Sequence, residues 1–180
     1  MLQIYGVLYM IRLLFTQSDT GAYFSCMRIL QAPVSLIGAA LAQVFYQKAA
    51  EIFNHKGNLH QYTRQTIIRT ALIALPILLP VIVAGPFLFA FIFGEEWRIA
   101  GEFAQILAPL AFFDFIRSPV SQIPLIISKQ RTMFLLSFIG CLIMLSVLLY
   151  AGTVSHNLKD GLILLSALLS LHYCIIITWV

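Results

Sequence analysis

Polar side chains that could bind a ligand lie inside a long apolar stretch near the start of the chain. Arg28, Gln31 and Ser35 recur at helical spacing, and the small residues Gly38 and Ala42 continue the same face. A helix in lipid has no reason to carry such a stripe unless the stripe faces protein or water. Arg28 has no acidic residue within four positions, so we expect its positive charge to be offered to another group.

A second polar face occurs later in the chain and combines one acid with one base. Asp114, Arg117, Ser118, Ser121 and Gln122 stand at i, i+3, i+4, i+7 and i+8 of a helical repeat. The first two can form a local ion pair, which could serve packing alone or take part in coupling. An ionised side chain at the centre of an isolated membrane helix costs at least about 2.5–3.5 kcal/mol. We therefore expect the two arginine-bearing helices to share a polar interior.

Catalytic and cofactor-binding motifs are missing from the sequence. It has no glycine-rich phosphate loop and no HExxH zinc motif, and its basic residues are too dispersed to bind nucleic acid. About a third of the way along the chain, His55, Lys56 and His60 favour a solvated loop over a metal site. Three isolated cysteines favour structural roles: Cys26, Cys141 and Cys174. We predict a protein that is not an enzyme and uses no cofactor or metal.

The elements that carry these residues are long apolar segments. The chain has 180 residues, of which 61% are hydrophobic and only 10% charged, against about 25% charged in soluble domains. Its apolar runs are continuous rather than alternating, which favours helices over a barrel. We predict an all-α polytopic membrane protein, a single lobe of about six transmembrane helices. The predicted spans are 1–15, 21–49, 67–93, 103–127, 133–151 and 161–180, with a polar loop over 51–66.

Prolines interrupt several of these spans. An interior proline removes a backbone hydrogen bond and clashes with the preceding turn. The sequence leaves open whether these helices are simply bent or contain hinges. The candidate hinges are Pro33, Pro76, Pro80, Pro86 and Pro119.

The charges of the connections alternate along the chain. Basic residues concentrate in two of them: Lys48, Lys56, Arg64 and Arg69, then Lys129 and Arg131. Acidic residues concentrate in others, at Asp19, Glu95, Glu96 and Glu102. Because Lys and Arg favour the cytoplasmic side, we predict that both termini are cytoplasmic.

Two blocks of the sequence resemble bacterial oligosaccharide flippases of the O-antigen (Wzx-like) type, in the polysaccharide-transporter branch of the MOP superfamily. The first is GAYFSCMRILQAPVSLIGAALAQVFYQKAAE, in which the matching residues include Gly21, Tyr23, Arg28, Pro33, Ser35, Gly38, Gln43, Phe45 and Glu51. The second comprises FGEEWRIAGEFAQILAP and FIRSPVSQIPLIISKQR, with Gly94, Trp97, Gly101, Pro109, Ser118, Pro119, Ser121 and Gln130. The resemblance covers about residues 19–131.

The resemblance implies a fold of two six-helix lobes around a central cavity, of the kind found in multidrug exporters (MATE-like). This chain resembles the second lobe only, so we expect a fragment or a split gene product that needs an N-terminal lobe or a partner chain. The implied location is the bacterial inner membrane, where polysaccharide assembly enzymes are possible partners.

The activity that the resemblance implies is flipping of an undecaprenyl-pyrophosphate-linked oligosaccharide, such as an O-antigen unit, by alternating access. The lipid tail would stay in the bilayer while the head group crosses to the periplasmic leaflet. Arg28 and Arg117 would bind the pyrophosphate, since guanidinium groups match phosphate oxygens. The sugar hydroxyls would contact Gln31, Ser35, Ser121 and Gln122.

The sequence leaves three alternative functions open. One is a multidrug or other MOP-type exporter, although such proteins more often carry unpaired intramembrane carboxylates. A second is a membrane polysaccharide polymerase or glycosyltransferase, which would need a large periplasmic or metal-binding loop. A third is a non-functional or regulatory fragment that packs into another transporter.

Overall fold

A computed structural model describes residues 2–179, with the side chains of residues 2–6 and 8 excepted. All regular elements in this range are helical, which confirms the predicted all-α class. The helices are α1 (Leu2–Leu14), α2 (Gln17–Asn54), α3 (Leu59–Phe93), α4 (Arg98–Val120), α5 (Ile123–Ile126), α6 (Gln130–Tyr150) and α7 (Leu158–Trp179). A 3₁₀ turn at Glu95–Trp97 precedes α4, and a π turn at Ala151–Ser155 precedes α7. The predicted span ends at Met1 and Val180 lie outside the described residues.

Five of the described helical segments are long and apolar enough to cross a membrane. They comprise α2, α3, α4 together with the preceding 3₁₀ turn and α5, α6 with the π turn, and α7. The first helix has only 13 residues, so at 1.5 Å per residue it is about 20 Å long and shorter than the hydrocarbon core of about 30 Å. The protein is a polytopic membrane protein.

The loop predicted over residues 51–66 is wrong, because both neighbouring helices continue into this segment and only residues 55–58 are non-helical. The turn ends where the Asn58 side chain accepts a 3.0 Å hydrogen bond from the Gln61 N–H and caps α3. Within the extension, the Thr63 hydroxyl bonds the Leu59 carbonyl at 2.9 Å. Polar residues are compatible with a helix in water, so a fall in hydropathy marks the end of the membrane rather than the end of the helix.

Helix α4 is the centre of the lobe and packs against α2, α3 and α7. Its closest approach is to α3, where a Cβ added to Gly101 would lie 2.6 Å from the Gly85 carbonyl oxygen. A Cβ added to Gly38 of α2 would similarly lie 3.2 Å from Ser118 Oγ. Small residues at these crossings let the helices approach closely, as is common in membrane proteins.

Among the candidate hinges, Pro86 coincides with a break in its helix. Ala84, two residues earlier, has non-helical angles of φ −137° and ψ 29°. The helical assignment runs through Pro33, Pro76, Pro80 and Pro119. Only the break near Pro86 therefore divides a helix into two differently directed parts, within the range that the structure describes.

Candidate functional site

A cavity of about 480 Å³ opens between α1, α2, α4, α6 and α7. Its three charged lining residues are Arg28, Asp114 and Arg117, and its other polar groups include Gln31 and two tyrosines. The lining residues are Val7, Tyr23, Phe24, Met27, Arg28, Leu30, Gln31, Val34, Leu107, Leu110, Ala111, Asp114, Arg117, Met144, Leu165, Leu169 and Tyr173. The cavity is thus mainly apolar, with a limited set of polar groups.

Arg117 is held in this cavity from two sides. Its Nη2 donates to Asp114 Oδ1 at 2.6 Å, an i,i+3 ion pair on α4. Its Cζ lies 4.6 Å from the centroid of the Tyr173 ring on α7, within the range of a cation–π contact. Its buried Nε has no hydrogen-bond partner among the described residues. The guanidinium is therefore oriented in advance, and its Nε–H is buried without an acceptor among the described residues.

Arg28 reaches the same cavity from α2, with Gln31 one turn further along. The side chain of Arg28 is exposed and forms no ion pair with any residue that the structure describes. The Gly38–Ser118 crossing holds α2 against α4, and both arginine-bearing helices line the same, mainly apolar cavity. The structure thus places both guanidinium groups in the lining of one cavity.

Three of the expected contact residues are not among the lining residues of this cavity. Ser35 is exposed and donates to the Ala32 carbonyl at 3.1 Å. Ser121 donates to the Ser118 carbonyl at 2.7 Å, and Gln122 lies at the turn before α5. Both hydroxyls bond to backbone of their own helix, so the structure does not bring these residues to the arginines.

Residues of α7 belong to the site, although the sequence of this helix is apolar over most of its length. Leu165, Leu169 and Tyr173 recur every four residues and line the cavity from α7. The regular spacing was present in the sequence. It could not be interpreted, because an apolar side chain facing lipid looks the same as one facing a neighbouring helix.

Gln105 of α4 was not among the predicted site residues. Its side chain makes a hydrogen bond to α3 next to the break in that helix. Its Nε2 donates to the Ile82 carbonyl at 2.8 Å and lies 3.4 Å from the Val83 carbonyl. In an unbroken helix the N–H of residue 86 would donate to the carbonyl of residue 82, but Pro86 has no N–H. Gln105 therefore supplies the donor that Pro86 removes, beside the close contact of Gly85 and Gly101.

The two ends of the helix bundle differ in charge. Six of the eleven Lys and Arg residues, but only one of the seven acidic residues, lie near the α2–α3 and α5–α6 turns. At the other end, Lys159 of the α7 start pairs with Glu102 of α4, and Arg98 pairs with Glu95 at 2.8 Å. Over residues 2–179 no three His, Cys, Asp or Glu side chains converge in a metal-binding arrangement.

A family model described as polysaccharide biosynthesis protein matches residues 7–101, just over half of the chain. The match extends from α1 to the first turn of α4, so it includes Arg28 and Gln31 and excludes Asp114 and Arg117. No curated protein and no solved structure matched the chain. Because the family model matches more than half of the chain, the chain belongs to the polysaccharide biosynthesis protein family.

Proposed function

We propose that this protein forms one lobe of a flippase that moves a lipid-linked oligosaccharide across the membrane by alternating access. Its family gives it a role in polysaccharide biosynthesis or transport. The observation that supports the narrower function is the membrane cavity lined by Arg28 and Arg117. The substrate is an undecaprenyl-pyrophosphate-linked oligosaccharide, such as an O-antigen unit, which moves from the cytoplasmic to the periplasmic leaflet.

The two arginines bind the pyrophosphate. A guanidinium donates through several N–H groups to phosphate oxygens, in pairs where the geometry allows. Arg117 is already oriented by Asp114 and Tyr173, so less conformational entropy is lost when an anion binds. The surrounding apolar lining lowers the local dielectric constant and strengthens each of these charge interactions.

A second lobe completes the pathway. The cavity is formed by one helix bundle and is open on the side where Arg28 is exposed. An N-terminal lobe or a partner chain covers that side, and rocking of the two lobes exposes the anion site to each leaflet in turn. The basic end of the bundle faces the cytoplasm of the inner membrane, so the end of α7 lies on that side, near the enzymes that assemble the oligosaccharide.

The ion pair at the site favours this proposal over a cation-coupled drug exporter. Asp114 is the acidic residue in the lining of the cavity, and its carboxylate is 2.6 Å from the Arg117 guanidinium. A carboxylate that is already paired with arginine is a poor site for a cationic drug.

The direct test uses the complete transporter in a bacterium that displays the polysaccharide on its surface. Arg28→Ala and Arg117→Gln are each expected to lower surface display at least about tenfold, since losing a charge-assisted hydrogen bond costs about 1.5–3 kcal/mol. Arg64→Ala is the matched control, because Arg64 is exposed on the polar extension of α3. Display is measured on polysaccharide gels and protein abundance by immunoblot. Normal display in both cavity variants at normal abundance would refute the proposal.

A further inference from the structure

We infer that His172 is a positioning residue, whose hydrogen bond to α6 sets the rotation of α7 and so holds the Tyr173 ring over Arg117. This inference rests on the proposed function, in which Arg117 binds the anionic group of the substrate. His172 is not among the lining residues of the cavity, so it acts through its neighbour. The observation behind the inference is that His172 and Tyr173 are adjacent on α7 but contact different helices.

The imidazole of His172 is buried against α6. Only 6% of the residue is exposed, and its Nε2 lies 3.0 Å from the Leu136 carbonyl oxygen. A carbonyl oxygen can only accept, so Nε2 carries the hydrogen and donates it. Hydrogen bonds between helices are directional, unlike the apolar contacts that surround them in lipid. This contact therefore favours one orientation of the imidazole.

Gly140 of α6 provides the space for this contact. A Cβ added to Gly140 would lie 3.1 Å from His172 Nε2 and 3.2 Å from its Cδ2. In a helix the carbonyl of residue i points at residue i+4, so a larger residue at position 140 would also cover the Leu136 carbonyl. The glycine thus leaves the carbonyl accessible and gives the imidazole the room that it needs.

Tyr173 follows His172 and faces α4. Successive residues of an α-helix are about 100° apart around its axis, so a single rotation of α7 fixes both side chains. The Tyr173 ring centroid lies 4.6 Å from Arg117 Cζ, inside the limit of about 6 Å for a cation–π contact. Rotating α7 by about 20° would move a side chain about 5–6 Å from the axis by about 2 Å, which is enough to lose the contact.

Other contacts of α7 constrain its rotation less at this level. Lipid chains are as apolar as leucine, so apolar contacts give little directional preference. Within the range that the structure describes, the remaining polar contact between α7 and another helix is the Lys159–Glu102 pair, which is partly exposed. Lys159 precedes His172 by 13 residues, about 20 Å along the helix. His172 is therefore the polar contact near enough to orient Tyr173.

Loss of the aromatic ring would loosen Arg117. Asp114 pairs with the guanidinium from the same helix at 2.6 Å, so without Tyr173 the described contacts hold the guanidinium from one side. A less ordered side chain loses more conformational freedom when an anion binds. A change at His172, outside the cavity, is therefore expected to weaken anion binding inside it.

The test places a fluorine label at Tyr173, by incorporating fluorotyrosine at this position of the full chain in lipid nanodiscs. The readout is the change in fluorine chemical shift that Arg117→Gln causes, measured in separate backgrounds. Comparing this change between backgrounds cancels the direct effect of the neighbouring imidazole on the label. The change is expected to fall by at least about half with His172→Leu or Gly140→Val, because the cation–π contact is lost.

One variant retains the hydrogen bond and another serves as the matched control. His172→Gln keeps a side-chain N–H donor for the Leu136 carbonyl, so it is expected to retain most of the change. Leu162→Ala is the control, because Leu162 is fully buried on α7 and is not among the lining residues. Its truncation destabilises the core about 16 Å from Tyr173 along the helix. Thermal unfolding measures the stability of every variant.

Binding of inorganic pyrophosphate provides a second measurement. His172→Leu is expected to weaken it about threefold or more, in line with the loss of a cation–π contact. In a Tyr173→Leu background, His172→Leu is expected to have no further effect, since the ring through which it acts is already absent. Leu162→Ala is expected to lower the melting temperature and leave pyrophosphate affinity unchanged.

The outcomes separate this inference from the proposed function. An Arg117→Gln change that is reduced in His172→Leu and Gly140→Val but retained in His172→Gln and Leu162→Ala supports the inference. A change of native size in His172→Leu and Gly140→Val, or no change in the native background, would overturn it. Absence of pyrophosphate binding to the native chain would refute the proposed anion site, while the fluorine measurements still decide the role of His172.

Discussion

The Arg117 guanidinium is stabilised by one charge and one aromatic ring that come from different elements. Asp114 lies on the same helix at 2.6 Å, and Tyr173 reaches it from α7 at 4.6 Å. Removing one member of a partly buried ion pair leaves the other charge uncompensated, which costs more than removing both. The pair was visible in the sequence because i,i+3 contacts are local, whereas the tyrosine depends on how α7 packs.

The different cost of removing one or both members of the Asp114–Arg117 pair gives a testable prediction. Asp114→Asn and Arg117→Gln are each expected to lower the free energy of unfolding by about 1–3 kcal/mol, less than for a fully buried pair, since both side chains are partly exposed. The double variant is expected to lose less than the sum of the single changes. Thermal unfolding in one detergent measures all four proteins, and simple additivity would show that the pair is not coupled.

At the scale of elements, α3 and α4 form a unit that contains a broken helix. Pro86 leaves the Ile82 carbonyl without its helical donor, Gln105 donates to it instead, and the backbones meet at Gly85 and Gly101. A backbone carbonyl without a partner is costly in a membrane, because no water replaces the lost hydrogen bond. The glutamine thus determines where a broken helix can be stable.

Gln105→Leu is expected to lower the free energy of unfolding by about 1–3 kcal/mol, because the Ile82 carbonyl loses its donor. In a Pro86→Ala background the restored N–H can bond to Ile82, so the same substitution is expected to cost less than half as much. Gln65→Leu is the matched control, since Gln65 is exposed on the extension of α3. Thermal unfolding of the double-variant cycle measures the coupling. An equal cost in both backgrounds would contradict the role of Gln105.

The glycine contact gives a separate prediction. Gly101→Ala is expected to destabilise the protein by about 1–3 kcal/mol through overpacking, since its Cβ would lie 2.6 Å from the Gly85 carbonyl oxygen. Gly21→Ala is the control, because a Cβ there meets no atom within 4 Å and alanine is the better helix former. A comparison of melting temperatures tests both, and equal effects of the two substitutions would argue against a tight crossing.

At the scale of the whole molecule, two helices are longer than the membrane is thick. At 1.5 Å per residue, α2 with 38 residues is about 57 Å long and α3 with 35 residues is about 52 Å, against about 40–45 Å for the bilayer with its head groups. Their polar ends meet at the basic turn over residues 55–58. This part of the lobe projects into water on one side of the membrane.

Single cysteines determine which side that is. Glu96→Cys is expected to react with a membrane-impermeant maleimide in intact spheroplasts, and Lys56→Cys only after permeabilisation, because the basic end is proposed to be cytoplasmic. Both positions are exposed. The three native cysteines are replaced beforehand, and the reverse labelling pattern would invert the proposed orientation.

The sequence by itself determined the membrane character and the helical class, because lipid requires long apolar helices whatever their neighbours are. It also indicated the Asp114–Arg117 pair, which depends only on spacing within one helix. The helix ends near residues 51–66 were predicted wrongly, because hydropathy reflects the surrounding solvent and not the backbone conformation.

Only the tertiary structure decided which faces meet. It brought Tyr173 to Arg117 and Gln105 to the Ile82 carbonyl, and it left Ser35 outside the cavity. The physical reason is that lipid chains are as apolar as leucine, so hydropathy does not distinguish a side chain that faces lipid from one that faces another helix. Contacts between residues far apart in the chain follow from packing, and packing is what formed the cavity from five helices.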